Sequence, residues 1–170
     1  MVSPELIRRY QFFADFSADQ IVALAKSANE NRMEAEQYIF SEGEELDHFY
    51  MVFDGKAAIQ IDRPDPNVTQ PTSLQLMGDF IETQTVVTTV GPGDVFGWSA
   101  LVPPHAATSS AKALVTSKII AFDCRELQEQ FDKDRQFAFL MLLKMAQVIR
   151  DRLRDMRIES LSTLAPQPEF

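Results

Sequence analysis

Few side chains in this 170-residue chain have the types and spacing for chemistry, and most of them fall in one short stretch. Gly97-Trp98-Ser99-Ala100-Leu101 comes within one residue of the Gly-x-Ser-x-Gly turn that presents a nucleophilic serine, with His105 close behind as a base. Leu101 stands where the second glycine belongs, however, and that turn needs the alternating βα units of a parallel sheet, which the sequence lacks. No catalytic residue is therefore assigned. A cupin-type metal enzyme needs two or three histidines and a carboxylate converging on one ion. The only histidines are His48 and His105, and Tyr50 takes the second place of a His-x-His pair, so no metal site is expected and His48 reads as a surface turn residue. Cys124 is the only cysteine, which rules out an internal disulfide or a Cys-x-x-Cys pair, and it reads as a small buried apolar residue.

The bulk numbers narrow the class. The length suits one compact domain with a long accessory helix, and 45% hydrophobic against 24% charged residues is globular composition. Thirteen phenylalanines against one tryptophan point to a core built on Phe. With 16 basic and 25 acidic side chains the net charge is −9, which repels phosphate backbones, so direct nucleic-acid binding is not expected. The first ten residues carry no secretory apolar stretch, and the longest apolar run, 137–143, is far short of the ~20 residues a membrane span needs. A soluble, cytoplasmic protein with no membrane partner is the expectation.

These residues must be positioned by elements that the hydrophobic pattern outlines. Ser3-Pro4 starts a short helix through Tyr10, and Ser17 caps a second one carrying Ile21, Leu24, Ala25 and Ala28 on one face, fading near 29–31. From Met33 the period becomes two. Strands follow over Tyr38–Phe40 and Phe49–Phe53, with Asp54-Gly55 as a hairpin turn and Ala57–Asp62 returning. Residues 63–82, with Pro64, Pro66 and Pro71, read as an irregular flap in which Phe80 and Ile81 either meet a partner or pack back. Thr83–Val90, Ser109–Ala113 and Lys118–Asp123 complete about seven strands. Helices over Arg125–Phe131 and Arg135 to about Leu161 end the fold. The domain plan is thus an N-terminal helical segment (1–31), a β jelly-roll (32–124) and C-terminal helices (125–164), followed by a frayed tail (165–170).

In the last helix Leu142, Ala146, Ile149, Leu153 and Met156 recur at alternating steps of four and three, the seam of a two-helix coiled coil. A homodimer through this helix is expected, although a helix resting on its own barrel gives similar positions. Lys144, Arg150, Arg152, Arg154 and Arg157, interspersed with Asp151, Asp155 and Glu159, read as a solvated face.

Three stretches resemble the cyclic nucleotide-binding superfamily, in particular the effector domains of catabolite activator (CRP/FNR) regulators. Residues 39–59, IFSEGEELDHFYMVFDGKAAI, are similar to its strand, Gly-Glu turn, strand, Gly turn, strand unit. Gly91-Pro92-Gly93-Asp94-Val95-Phe96-Gly97 resembles the approach to its phosphate-binding cassette, and Pro104-His105-Ala106-Ala107-Thr108 resembles the closing Pro-Arg-Ala-Ala-Thr. The entry segment Tyr10 to Ser17 is also similar. The resemblance implies a mainly β fold: a double-stranded β-helix (jelly-roll) barrel between N-terminal helices and a long C-terminal helix, acting as a non-enzymatic sensor.

In such a cassette (97–108 here) backbone N–H groups at a short helix start hold the cyclic phosphate, with Gly97, Ser99, Ala100 and Leu101 forming the turn and His105, Ala106, Ala107 and Thr108 closing it. The family's ribose-binding Glu is Trp98 here, its phosphate-binding Arg is His105, and Val102-Pro103-Pro104 replaces a longer loop. The expectation is a degenerate cassette that binds cyclic AMP poorly, holding a different small anionic ligand or serving as a plug, with no other cofactor. A ligand-free protein-interaction module is the alternative. Family regulators follow the long helix with a helix-turn-helix domain, for which this sequence has no room, so it is either a piece of a longer regulator or, the reading favoured here, a domain acting through protein contacts.

Overall fold

The computed structural model describes residues 2–65, 67–77 and 80–164, with side chains as far as Ile158. The expected tail, 165–170, and flap residues Pro66, Gly78 and Asp79 lie outside the described residues. The chain forms two compact units: residues up to Asn29 together with those from Phe122 onward, and residues 30–121.

The first unit is helical, with α1 (Pro4–Arg8), a 3-10 turn (Gln11–Phe13), α2 (Ala18–Lys26), α4 (Cys124–Lys133) and α5 (Arg135–Leu164). Short polar side chains set the helix starts. Ser17 accepts from the Gln20 amide at 3.3 Å while Gln20 Oε1 accepts from the Ser17 N–H at 3.0 Å, a reciprocal box that satisfies two otherwise orphaned donors. Asp123 starts α4 by accepting from the amides of Arg125 and Glu126 at 2.8 and 3.2 Å. Ser3 precedes α1, but its hydroxyl donates to the Glu5 carboxylate at 2.6 Å and caps no backbone amide, contrary to expectation.

The core of this unit is a chain of phenyl rings, as the composition suggested. Phe13 meets Phe122 at 5.6 Å, Phe16 meets Phe137 edge-on at 5.7 Å, and Phe137 meets Phe131 at 4.9 Å. Ile7, Ile21, Leu24 and Leu127 fill the remainder at 0% exposure, and Cys124 is buried.

Among the described residues the second unit is built on eight strands, one more than the pattern indicated: β1 (Ala28–Met33), β2 (Tyr38–Phe40), β3 (His48–Asp54), β4 (Ala57–Pro64), β5 (Glu82–Val90), β6 (Val95–Phe96), β7 (Ser110–Ala113) and β8 (Ser117–Asp123). They form two four-stranded sheets, ordered β1-β8-β3-β6 and β2-β7-β4-β5. Phe40 of one sheet stacks on Tyr50 and Phe96 of the other at 5.5 and 6.1 Å, so the sheets close over an aromatic layer in the expected jelly-roll manner.

Three local expectations are corrected. The segment expected to end in a fading helix at 29–31 is strand β1; α2 stops at Lys26, and Ala-Asn-Glu-Asn-Arg-Met is held extended as an edge strand by its neighbour β8. The flap is not wholly irregular. Strand β4 runs to Pro64, opposite Glu82, and α3 (Thr72–Met77) lies between the arms. Gln70 clasps the flap's base, accepting from the Ile81 amide at 2.7 Å and donating to the Ile81 carbonyl at 2.9 Å, and leaves Phe80 and Ile81 43% and 39% exposed. His48 is not a turn residue but the first residue of β3, half-buried and hydrogen-bonded to Asp47.

The Asp54-Gly55 turn forms as expected. At φ 94° Gly55 is left-handed, and a Cβ there would lie 2.2 Å from Ser117 Oγ and 2.8 Å from Ser117 Cα, so only glycine fits.

Candidate functional site

The cassette residues come together at the end of β6. Gly97 turns the chain with φ 74°, and Trp98–Leu101 make one 3-10 turn in which the Ala100 N–H donates to the Gly97 carbonyl at 3.2 Å. In i→i+3 bonding the first amides of a turn, here those of Trp98 and Ser99, have no acceptor within it. Gly97 is required from below as well as by its dihedral. A Cβ there would stand 2.8 Å from Cδ2 of Tyr50, whose ring is stacked with Phe40 and Phe96, each at 5.5 Å. A tyrosine floor is thus pressed against the Gly97 backbone.

His105 returns to the same turn. The chain bonds back from the His105 N–H to the Val102 carbonyl at 2.9 Å, and imidazole Nδ1 lies 2.9 Å from the Ala100 carbonyl. A carbonyl only accepts, so Nδ1 carries a proton and donates to it. Trp98 and His105, distant from one another in chemistry, thus belong to one substructure.

The closing segment is fixed on its other side by the Gly-Glu turn. Leu46 N–H donates to the His105 carbonyl, Ala107 N–H to the Glu44 carbonyl and Gly43 N–H to the Ala107 carbonyl, each at 2.8 Å, with Glu45 bridging Ala106. Ala107 is 4% exposed, whereas Thr108 is exposed at the edge. The structure therefore joins Gly97, Trp98, Ser99, Ala100, Leu101 and His105 in one turn and lays Ala106 and Ala107 along residues 43–46.

Sequence reasoning missed Tyr50, Phe40 and Phe96 as the floor of the cassette. Stacking between sheets leaves no mark in linear spacing. Tyr50 also lines a cleft of about 440 Å³ with Glu30, Asn31, Arg32, Met33, Ile39 and Ile119. Among the described residues no group of three or more His, Cys, Asp or Glu side chains is gathered as a metal site.

In the helical unit the seam residues Leu142, Ala146, Ile149, Leu153 and Met156 are all exposed, Leu142 by 55% and Leu153 by 46%, while Phe137, Met141 and Met145 of the same helix are buried. Lys144 departs from the expected solvated face: it is 8% exposed and paired with Asp15. Arg150 and Arg154 behave as expected, pairing with Asp151 and Asp155 in the open. Asp134, between α4 and α5, holds extended backbone, and its carboxyl lies below the usual range because Gln20 and then the Phe137 amide donate to it.

Comparison with known proteins agrees with this geometry. Residues 30–134 match the cyclic nucleotide-binding domain family. The chain is 26% identical over 150 residues to the CRP-like cAMP-activated global transcriptional regulator of Mycobacterium tuberculosis, in strains CDC 1551 / Oshkosh and ATCC 25618 / H37Rv, covering 88% of this chain and 58% of those proteins. Among solved structures it is similar to a cyclic nucleotide-binding domain from Methylobacillus flagellatus KT (TM-score 0.71, 14% identity, 97% of this chain and 84% of that one). It is also similar to the sensor domain of the transcriptional regulator DNR from Pseudomonas aeruginosa (TM-score 0.63, 18% identity, 88% of this chain and 90% of that one). The chain belongs to the cyclic nucleotide-binding domain family, with the mainly β fold and flanking helices of the CRP type. No helix among the described residues is long and apolar enough to cross a membrane.

Proposed function

We propose that the chain is a non-enzymatic sensor domain whose cassette no longer suits an ordinary cyclic nucleotide. The observation that carries this reading is the His105 imidazole bonded through Nδ1 to the Ala100 carbonyl. In place of a guanidinium fork the cassette carries a single imidazole whose Nδ1 is already committed to the Ala100 carbonyl, and in place of a ribose-binding carboxylate an indole that only donates. Each missing charge-assisted hydrogen bond is worth about 1.5–3 kcal/mol, so a micromolar site moves towards millimolar. A different small ligand, or none, occupies the turn. Calorimetric titration with cyclic AMP and cyclic GMP tests this: no micromolar binding is expected, and micromolar affinity for either overturns the reading.

The domain acts as a homodimer through α5, because five apolar or small residues at coiled-coil spacing stand exposed on one helix. Light scattering should give a dimer that Leu153→Asp converts to a monomer; a wild-type monomer at tens of micromolar refutes it. Occupancy of the cassette acts on the junction at 132–135 and redirects α5, to the extent that a ligand distinguishes the two arrangements. The net charge of −9 and the paired arginines of α5 support a protein partner over direct nucleic-acid contact, in the cytoplasm where nucleotide signals circulate. Exposure of Leu76 (84%) and Met77 (76%) on α3 favours the second reading, a ligand-free interaction module.

A further inference from the structure

Two helix starts far apart in sequence are joined by one line of hydrogen bonds. The Ser17 N–H, at the cap of α2, donates to Gln20 Oε1 at 3.0 Å; Gln20 Nε2 donates to Asp134 Oδ2 at 2.9 Å; and the Phe137 N–H, in the first turn of α5, donates to Asp134 Oδ1 at 3.0 Å. Gln20 is 9% exposed, unusually buried for a glutamine. The line has a direction. If the Gln20 amide were reversed, its NH₂ would face the Ser17 N–H and its oxygen would face the Asp134 carboxylate, so both of its side-chain contacts would be mismatched, donor to donor and acceptor to acceptor.

Asp134 also stands at the break between α4 and α5. Its extended backbone (φ −127°, ψ 92°) separates the helices, its N–H still closes α4 on the Gln130 carbonyl at 2.8 Å, and its carbonyl accepts from Ala138 at 3.2 Å. The first turns of α5 are held to the same neighbourhood twice more, by Phe137 on Phe16 and by Lys144 on Asp15.

We propose that Gln20 and Asp134 are positioning residues forming a directional latch between α2 and α5. Helix α5 cannot pivot at Asp134 without either breaking the latch or carrying α2 with it. A cap alone explains the Phe137 contact, but not the burial of a glutamine whose two ends are committed to two different helix starts. The latch stands apart from the cassette reading and holds whatever the cassette binds.

A donor–acceptor exchange tests it. Asp134→Asn leaves one oxygen and one NH₂ for two donors; asparagine caps helices as well as aspartate does, so its oxygen stays on the Phe137 amide and its NH₂ is set against Gln20 Nε2. Gln20→Glu sets a second carboxylate against Asp134. Together, Gln20→Glu and Asp134→Asn restore every donor and acceptor with the middle hydrogen bond reversed: the new amide at 134 donates to the new carboxylate at 20. Hydrogen exchange at the Phe137, Ala138 and Ser17 amides in the full chain reads the outcome.

Each single variant is expected to speed exchange roughly fivefold at Phe137 or Ser17, the scale of a lost cap, and the double variant to return within about twofold of wild type. Asp134→Asn should reach across to Ser17, which a mere α5 cap would not do. Additive losses in the double variant, or an unmoved Ser17 amide in Asp134→Asn, overturn the latch. Should Gln20→Glu alone fail to fold, recovery of folding in the double variant supports the latch, and a double variant that also fails to fold overturns it.

Discussion

On the proposed reading of the cassette, installing the family's charged pair should create affinity for cyclic AMP. In Trp98→Glu/His105→Arg, arginine replaces an imidazole held 2.9 Å from the Ala100 carbonyl, and glutamate follows Gly97 directly. The loss of one neutral hydrogen bond costs about 0.5–1.5 kcal/mol of folding stability. The φ of 63° at position 105 adds little, since histidine already bears a Cβ there. Against this, arginine on the cyclic phosphate and glutamate on the ribose hydroxyl are each worth about 1.5–3 kcal/mol, or roughly ten- to hundredfold. The two positions share one ligand and are not additive, so the net gain for cyclic AMP should be about 10²–10³-fold. Calorimetric titration of wild type, both single variants and the double variant measures it, with thermal melts confirming that each is folded. A folded double variant that binds cyclic AMP no better than wild type would refute the placing of residues 98 and 105 at the ligand.

Other substitutions test the frame. Gly97→Ala puts a Cβ 2.8 Å from Tyr50 at a left-handed position, and should cost about 2–3 kcal/mol in urea unfolding; a loss below about 0.5 kcal/mol would mean that Tyr50 yields freely. Ser17→Ala removes the acceptor for the Gln20 amide and should cost about 1 kcal/mol, seen as a melting point lower by roughly 2–4 °C. Asp134 has a depressed pKa, so its contribution is present above the ordinary carboxylate range and is lost as pH falls through its folded value. The stability difference between wild type and Asp134→Asn should therefore be largest near neutrality and shrink in acid. A difference that grows below about pH 4 contradicts that assignment.

What the sequence made legible was local. The Ser17 cap, the Asp54-Gly55 hairpin and the Gly97 turn are each signalled by residues within four positions of one another, and each formed where its residue types placed it, although the Gln20 half of the Ser17 box was not foreseen. The family's Gly turns carried the jelly-roll because they occur in order along the chain. What stayed hidden depends on distant partners. β1 carries no alternating apolar pattern and is extended only because β8 pairs with it. Lys144 looked like one more cation on a solvated helix because its acid, Asp15, lies 129 residues away. Asp134 was legible as part of a junction, but its bond to Gln20 crosses 114 residues. The Tyr50 floor required two sheets to be laid together before its role beneath Gly97 could be seen.

The length of α5 magnifies whatever happens at its beginning. Thirty residues extend about 45 Å, so a tilt of only about 5° at Asp134 displaces the far end by about 4 Å, enough to pull one coiled-coil layer out of register with a partner. In the proposed homodimer, a disturbance too slight to reshape the sheets would become, at the helix tip, the difference between an assembled pair of subunits and a mismatched one.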